Sequence, residues 1–322
     1  LVLAVALFVH DGLEPIGRLL ATAGWGLVLA GLFHVVPMIV NAQAWKVLLV
    51  PTARTSLAVM SAAVWIRESV NGLLPVARIG GEIACYRSLV QRGTPRVAVA
   101  ASLIVDMAVS LLSQGVFCLV GVGLLVARGL DDRFAVQLGL AFVVLVALGG
   151  VFAVLQRAGL FERLARLANR LVAGRWDDLE QYSARIDRAT RLIYRRRGRV
   201  VACLAWQLLG WLLGAGEIWL ALHFLGHPTS LADALILEGI VQAISSVAFV
   251  VPGALGVQEG GFLVLGAALG LAGPTALALA VARRIRDAVI FFPGLLAWQW
   301  FERRSSADSS TRAQEPRGSA SR

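Results

Sequence analysis

Apolar residues dominate this chain in long runs, and the polar residues that interrupt them do so at a few recurring places. Runs at 20–42, 97–127, 134–155, 200–222 and 275–301 are each long enough to cross a bilayer as a helix. The opening run at 1–9 is too short to cross and reads as the end of a first span, followed by a polar connection at 10–18. Two further apolar segments have a different pattern. The first enters from 56, breaks at Pro75 and returns from Ile79; the second enters from 234, breaks at Pro252 and Gly253 and returns from Val257. Proline removes a backbone donor and ends a helix, and glycine admits turns that other residues resist. Both segments carry charge where charge is costly.

The two broken segments match each other. Pro75 lies seven residues before Glu82, and Pro252 seven before Glu259. A turn follows in each (Gly93 with Pro95, Gly273 with Pro274), then an apolar helix with an acid in its interior, Asp106 or Asp287. The separations from proline to acid are 31 and 35 residues, so the acids match loosely. Paired broken helices at corresponding positions point to a transporter-type site.

Residues 156–199 are of another kind. They hold twelve arginines against five acids, with Leu160, Leu164, Leu167 and Leu171, then Leu179, Tyr182, Ile186 and Ile193, at helical spacing on either side of Gly174. This pattern predicts an Arg-rich amphipathic helical hairpin on the cytoplasmic face, where anionic lipid head groups are its expected partners. Placing it inside puts the 223–233 loop and the 270–274 turn outside. The first broken segment then dips in from the cytoplasm and the second from the opposite side. The sequence therefore predicts an all-α polytopic membrane protein of about six spans, with two re-entrant hairpins in an inverted repeat. Its units are 1–155, 156–199, 200–301 and an unstructured tail at 302–322, rich in serine and arginine.

Composition agrees. Hydrophobic residues make up 58% and charged residues 16%, with a mean hydropathy of +0.74, against about half and a quarter in soluble domains. The net charge of +10, almost all arginine with Lys46 as the one lysine, fits positive-inside loops and not nucleic acid. Cys85, Cys118 and Cys203 lack a C-x-x-C spacing, and His10, His34, His223 and His227 lack a metal spacing. No phosphate-binding G-x-x-x-x-G-K loop occurs. We therefore expect no catalytic residue, no metal and no cofactor.

The candidate site follows from the charges in and beside the breaks. Arg67, Glu68, Asn71, Arg78, Glu82, Gln258 and Glu259 line it, with Asp106, Arg283, Arg284 and Asp287 as a second ring. Pro75, Gly80, Gly81, Pro252, Gly253 and Gly256 shape its backbone. Glu82 and Glu259 are expected to face each other across one cavity near the midplane. Glu238 reads as an interfacial residue.

The stretches RESVNGLLPVARIGGE, VPGALGVQEGG and ALAVARRIRD resemble the flippase-like membrane domain shared with lysylphosphatidylglycerol synthases. With AGWGLVLAGLFHVVPMIVNAQAWKVLL, the chain is most similar to the hopanoid-biosynthesis-associated membrane proteins within that superfamily. The resemblance implies a multi-pass protein of the bacterial inner membrane that moves a lipid, a hopanoid or another polar-headed one, without a chemical step. The alternatives are an intramembrane lipid-modifying enzyme and a scaffold for lipid-synthesis enzymes.

Overall fold

The computed structural model describes residues 13–49, 55–74, 79–129, 177–247 and 256–314, with a few isolated positions between 143 and 154. Among them the chain forms eleven helices and no strand. They are α1 (Leu13–Ala23), α2 (Trp25–Phe33), α3 (Val35–Leu48), α4 (Leu57–Leu73), α5 (Gly80–Gln91) and α6 (Arg96–Ala127). After the undescribed stretch come α7 (Asp177–Arg195), α8 (Arg197–Phe224), α9 (Leu231–Val247), α10 (Val257–Ala268) and α11 (Gly273–Gln314).

Local chemistry sets several of these boundaries. The connection expected at 10–18 is instead helical from Leu13, where Arg18 reaches back one turn to Glu14 at 2.6 Å. The break falls at Gly24, whose φ of 45° is left-handed. α2 and α3 form one span bent at His34. Pro37 has no N–H for the carbonyl of Phe33, so the helix tightens there, and His34 N–H bonds Gly31 O at 3.0 Å. α4 starts on Ser56, whose hydroxyl accepts from Val59 N–H at 3.3 Å. Gly256, with φ 83°, turns the chain into α10.

The two broken segments fold alike. α4 and α9 have 17 residues each, α5 and α10 have 12 each, and each pair leads into a long helix, α6 or α11. Their packing is matched as well. α3 lies on α4 and α8 on α9; α5 lies on α4 and α6, and α10 on α9 and α11. Across the halves the exchange is reciprocal: α4 packs on α11 and α9 on α6, while α3 and α8 meet between them. Close approach needs small residues. A Cβ on Gly294 would collide with Ser69 and Trp65 of α4, and one on Gly81 with the carbonyl of Arg67 and the side chain of Asn71. The α4–α11 crossing is also pinned by Trp65, whose indole N–H donates to Ile290 O at 2.7 Å, three residues before Pro293.

α7 is the second arm of the expected hairpin. Its Ile186, Ala189, Ile193 and Tyr194 pack on Val105 and Val109 of α6 and on Leu48 of α3, while Arg185, Arg188 and Arg195 point outward. Tyr182 and Tyr86 share a hydroxyl–hydroxyl bond of 3.0 Å that ties α7 to α5. The first arm and Gly174 lie outside the described residues.

Three described helices are long and apolar enough to cross a membrane: Trp25–Leu48, Arg96–Ala127 and Arg197–Phe224. Large apolar side chains stand exposed on their surfaces and on α11, among them Leu29, Leu212, Val289 and Phe292. A face of that kind suits hydrocarbon, where helices satisfy their own backbone groups. The expected span at 1–9, all but a few positions of that at 134–155, and the breaks at Pro75 and Pro252–Gly253 lie outside the described residues. The tail expected to be unstructured from Glu302 is helical through Gln314, and Glu302 accepts from Arg87 of α5 at 2.8 Å.

The glycine packing is testable by thermal melting of the detergent-purified protein. Gly81→Ala should lose about 1–3 kcal/mol, because the blocking atom is backbone. Gly260→Ala, with nothing within 4 Å of its new Cβ, should be neutral or gain up to about 1 kcal/mol of helix propensity.

Candidate functional site

The buried charges sort into pairs, most of them built across helices. Arg67, in the middle of α4, donates to Asp106 of α6 at 2.9 Å. Gln207 of α8 donates to the other Asp106 oxygen at 2.9 Å, and the ring of Trp45 lies 5.6 Å from the guanidinium. Gln207 is itself held by Ser113, which accepts from Trp211. Glu82 lies within electrostatic reach of Arg67.

A second pair occupies the equivalent place in the other half. Arg283 grips both oxygens of Glu238 on α9, at 2.6 and 3.1 Å. Asp106 and Arg283 each lie ten residues past the first residue of their helices, α6 and α11. Asp106 and Arg283 therefore share a helix position and have opposite sign, while their partners Arg67 and Glu238 stand about one turn apart in register on α4 and α9. Sequence spacing matches Asp106 with Asp287; the helix register matches it with Arg283, because the turns before α6 and α11 bring both helices to the same starting point.

The next turn of α11 serves other helices. Arg284 donates to Glu259 at 2.8 Å, and the second oxygen of Glu259 accepts from Gly256 N–H at 2.7 Å, capping α10. Arg286 bonds Asp287 at 2.6 and 3.0 Å and also Glu217 of α8. Glu217 in turn takes His34 Nδ1 at 2.8 Å, and Glu68 of α4 lies 3.8 Å from His34 Nε2. Asn71 of α4 caps α5 from outside, accepting from Gly81 N–H at 2.9 Å.

Of the sequence candidates, then, Arg67 with Asp106, Glu259 with Arg284, and Asn71 with Gly81 are brought together. Arg283 and Asp287 find partners outside the list. Gln258 is buried beside Glu259, Gly80 opens α5 and Gly256 precedes α10. Arg78, Pro75, Pro252 and Gly253 lie outside the described residues. Glu82 sits in the field of Arg67, and Glu259 is engaged by Arg284. Glu238 is 4% exposed and no interfacial residue. His34, Gln207, Glu217, Glu238 and Arg286 complete the network without being among the candidates. A lone acid inside an apolar span was the signal for Glu217; a His one turn before a span proline was the signal for His34.

A shallow recess with room for about one water molecule lies between α2, α8 and α11. Glu217, Arg283 and Arg286 form its polar wall, and Leu27, Ala30 and Ile218 its apolar wall. Among the described residues no three His, Cys, Asp or Glu side chains gather into a metal-binding group.

Residues 1–294 match the family model described as the lysylphosphatidylglycerol synthase TM region. No curated protein and no solved structure matches the chain.

The pairing predicts a particular asymmetry. Glu238→Met alone leaves Arg283 buried and uncompensated and should cost about 3–5 kcal/mol; adding Arg283→Met should recover most of it. Melting of the two single variants and the double variant in detergent reads this coupling directly.

Proposed function

The chain belongs to the lysylphosphatidylglycerol synthase transmembrane-region family, and from that premise we propose that it is a flippase-like translocase of the bacterial inner membrane. It carries a polar-headed lipid across the bilayer without altering it chemically. The resemblance of its opening span and broken segments to hopanoid-associated members favours a hopanoid or a related lipid as cargo.

One observation carries this reading: two buried ion pairs, Arg67–Asp106 and Glu238–Arg283, whose long-helix members Asp106 and Arg283 share a helix position with opposite sign, in halves that pack on each other crosswise. A polar head cannot cross hydrocarbon without partners for its donors and acceptors. Buried ion pairs that can exchange partners supply them. Because α4 lies on α11 and α9 on α6, a shift of one broken unit moves against the long helix of the other. Loosening one pair while closing the other would open the interior to each side in turn, as alternating access requires. The oppositely directed halves expected from the arginine distribution give such a movement its two faces.

The test is translocation of a head-labelled lipid in proteoliposomes, with the lipid recovered and analysed afterwards. We expect the lipid to be chemically intact and Asp106→Asn to slow translocation at least about tenfold, the equivalent of ~1.4 kcal/mol on the barrier. Arg18→Ala, which breaks an exposed pair on α1, should leave the rate unchanged. A modified lipid would sink the translocase reading in favour of an enzyme; equal rates for wild type and Asp106→Asn would remove the ion pair from the site.

A further inference from the structure

We propose that His34 and Glu68 form a proton-binding site that couples lipid movement to a proton gradient, an inference that rests on the translocase reading for its purpose but not for its chemistry. It begins with a donor–acceptor conflict at one imidazole. His34 Nδ1 lies 2.8 Å from Glu217 Oε2, which only accepts when ionised, and 3.0 Å from an N–H of Arg286, which only donates. One ring nitrogen satisfies one of them. Arg286 already bonds Glu217 and Asp287, so the Nδ1 proton belongs to Glu217.

In the neutral ring the lone pair then falls on Nε2. That atom is buried, has no hydrogen-bond partner, and faces Glu68 Oε2 at 3.8 Å. Lone pair and carboxylate repel. Glu68 itself receives no hydrogen bond among the described residues. One added proton turns the repulsion into a charge-assisted bond: Nε2–H donates to Glu68, Nδ1–H stays on Glu217, and the ring becomes a cation between two carboxylates. The proton comes from water and returns to it; no other bond is made or broken.

The charges facing the ring favour that state. Glu217 comes from α8, Glu68 from α4, and Arg286 and Asp287 from α11, with Phe291 of α11 edge-on at 5.9 Å. Behind them Arg67 is paired with Asp106 and Arg283 with Glu238. Glu68, Glu217 and Asp287 against Arg286 leave two negative charges with His34 neutral and one with it protonated. A surplus of that kind in a low-dielectric interior draws a proton.

The site also stands where a proton can move something. His34 is the bend of the α2–α3 span, one turn before Pro37, and Glu68 follows Arg67 on the broken helix α4. Protonation draws α4 and the bend together; release lets them part, carrying Arg67 relative to Asp106. The side chain of Glu68 is a quarter exposed.

Two measurements decide the proposal. In the first, proteoliposomes with a labelled lipid are given a pH gradient, which a protonophore then collapses. Wild type should slow about tenfold on collapse, a loss of ~1.4 kcal/mol of drive on the rate, while Glu68→Gln should move the lipid at a rate indifferent to the gradient. A wild-type rate indifferent to the gradient overturns the proton site and leaves translocation standing. In the second, which needs no transport, proton uptake by the purified protein is titrated between about pH 8 and 5. Wild type should take up about one proton more than His34→Gln and than Glu68→Gln, all three melting within a few degrees of each other. Equal uptake overturns the site. If no lipid moves under any gradient, the translocase reading fails, and the uptake difference alone decides whether the proton is bound.

Discussion

A full charge inside hydrocarbon must have its counter-charge within hydrogen-bond reach, and the arrangement of this protein follows from meeting that condition across helices. Arg67 and Asp106 join α4 to α6; Glu238 and Arg283 join α9 to α11; Glu259 and Arg284 join α10 to α11; Glu217, His34 and Arg286 join α8, the α2–α3 bend and α11. None of these pairs is a cheap source of stability, since desolvation offsets most of the attraction and well-packed apolar side chains hold helices at least as well. Their number makes sense if they fix which helices meet, at what register, and which contacts can be exchanged.

That geometry couples the halves. Each broken unit lies against the long helix of the other, so neither moves alone. The bends fall where they give leverage. Pro37 bends the α2–α3 span at His34, and Pro293 lies beside the Trp65 contact that anchors α4 to α11. On the opposite flank, α5 is held by Tyr182 of α7 and by Glu302 of the extended α11.

The long apolar helices were legible because their length and hydropathy leave little choice, and the paired broken units because proline, glycine and charge recur at matched spacing. The family was legible in the same stretches. The partners of the charges were not. Glu238 read as interfacial because nothing in its neighbourhood along the chain shows that Arg283, 45 residues on, reaches it. His34 and Glu217 are separated by 183 residues and meet only because α2, α3 and α8 pack together. Asp106 was matched to Asp287 by chemical type, whereas helix register matches it to a residue of opposite sign. The helical extension past Glu302 went unread because serine and arginine say little about helix when Arg87 supplies the anchor from elsewhere.

The run Arg283–Arg284–Ile285–Arg286–Asp287 has a consequence for how such a protein can diverge. Within little more than one turn, its charges answer to α8, α9 and α10, and Ile285 faces outward. A change at any of the three arginines must be matched by a change in a different, distant part of the chain before the protein is sound again. Such compensations are rare in single steps, so this segment should drift more slowly than the apolar helices around it, where one aliphatic residue can replace another. Among far-removed members of the family, the charged turn should stay recognisable after the spans have lost their likeness, with Ile285 the position free to vary.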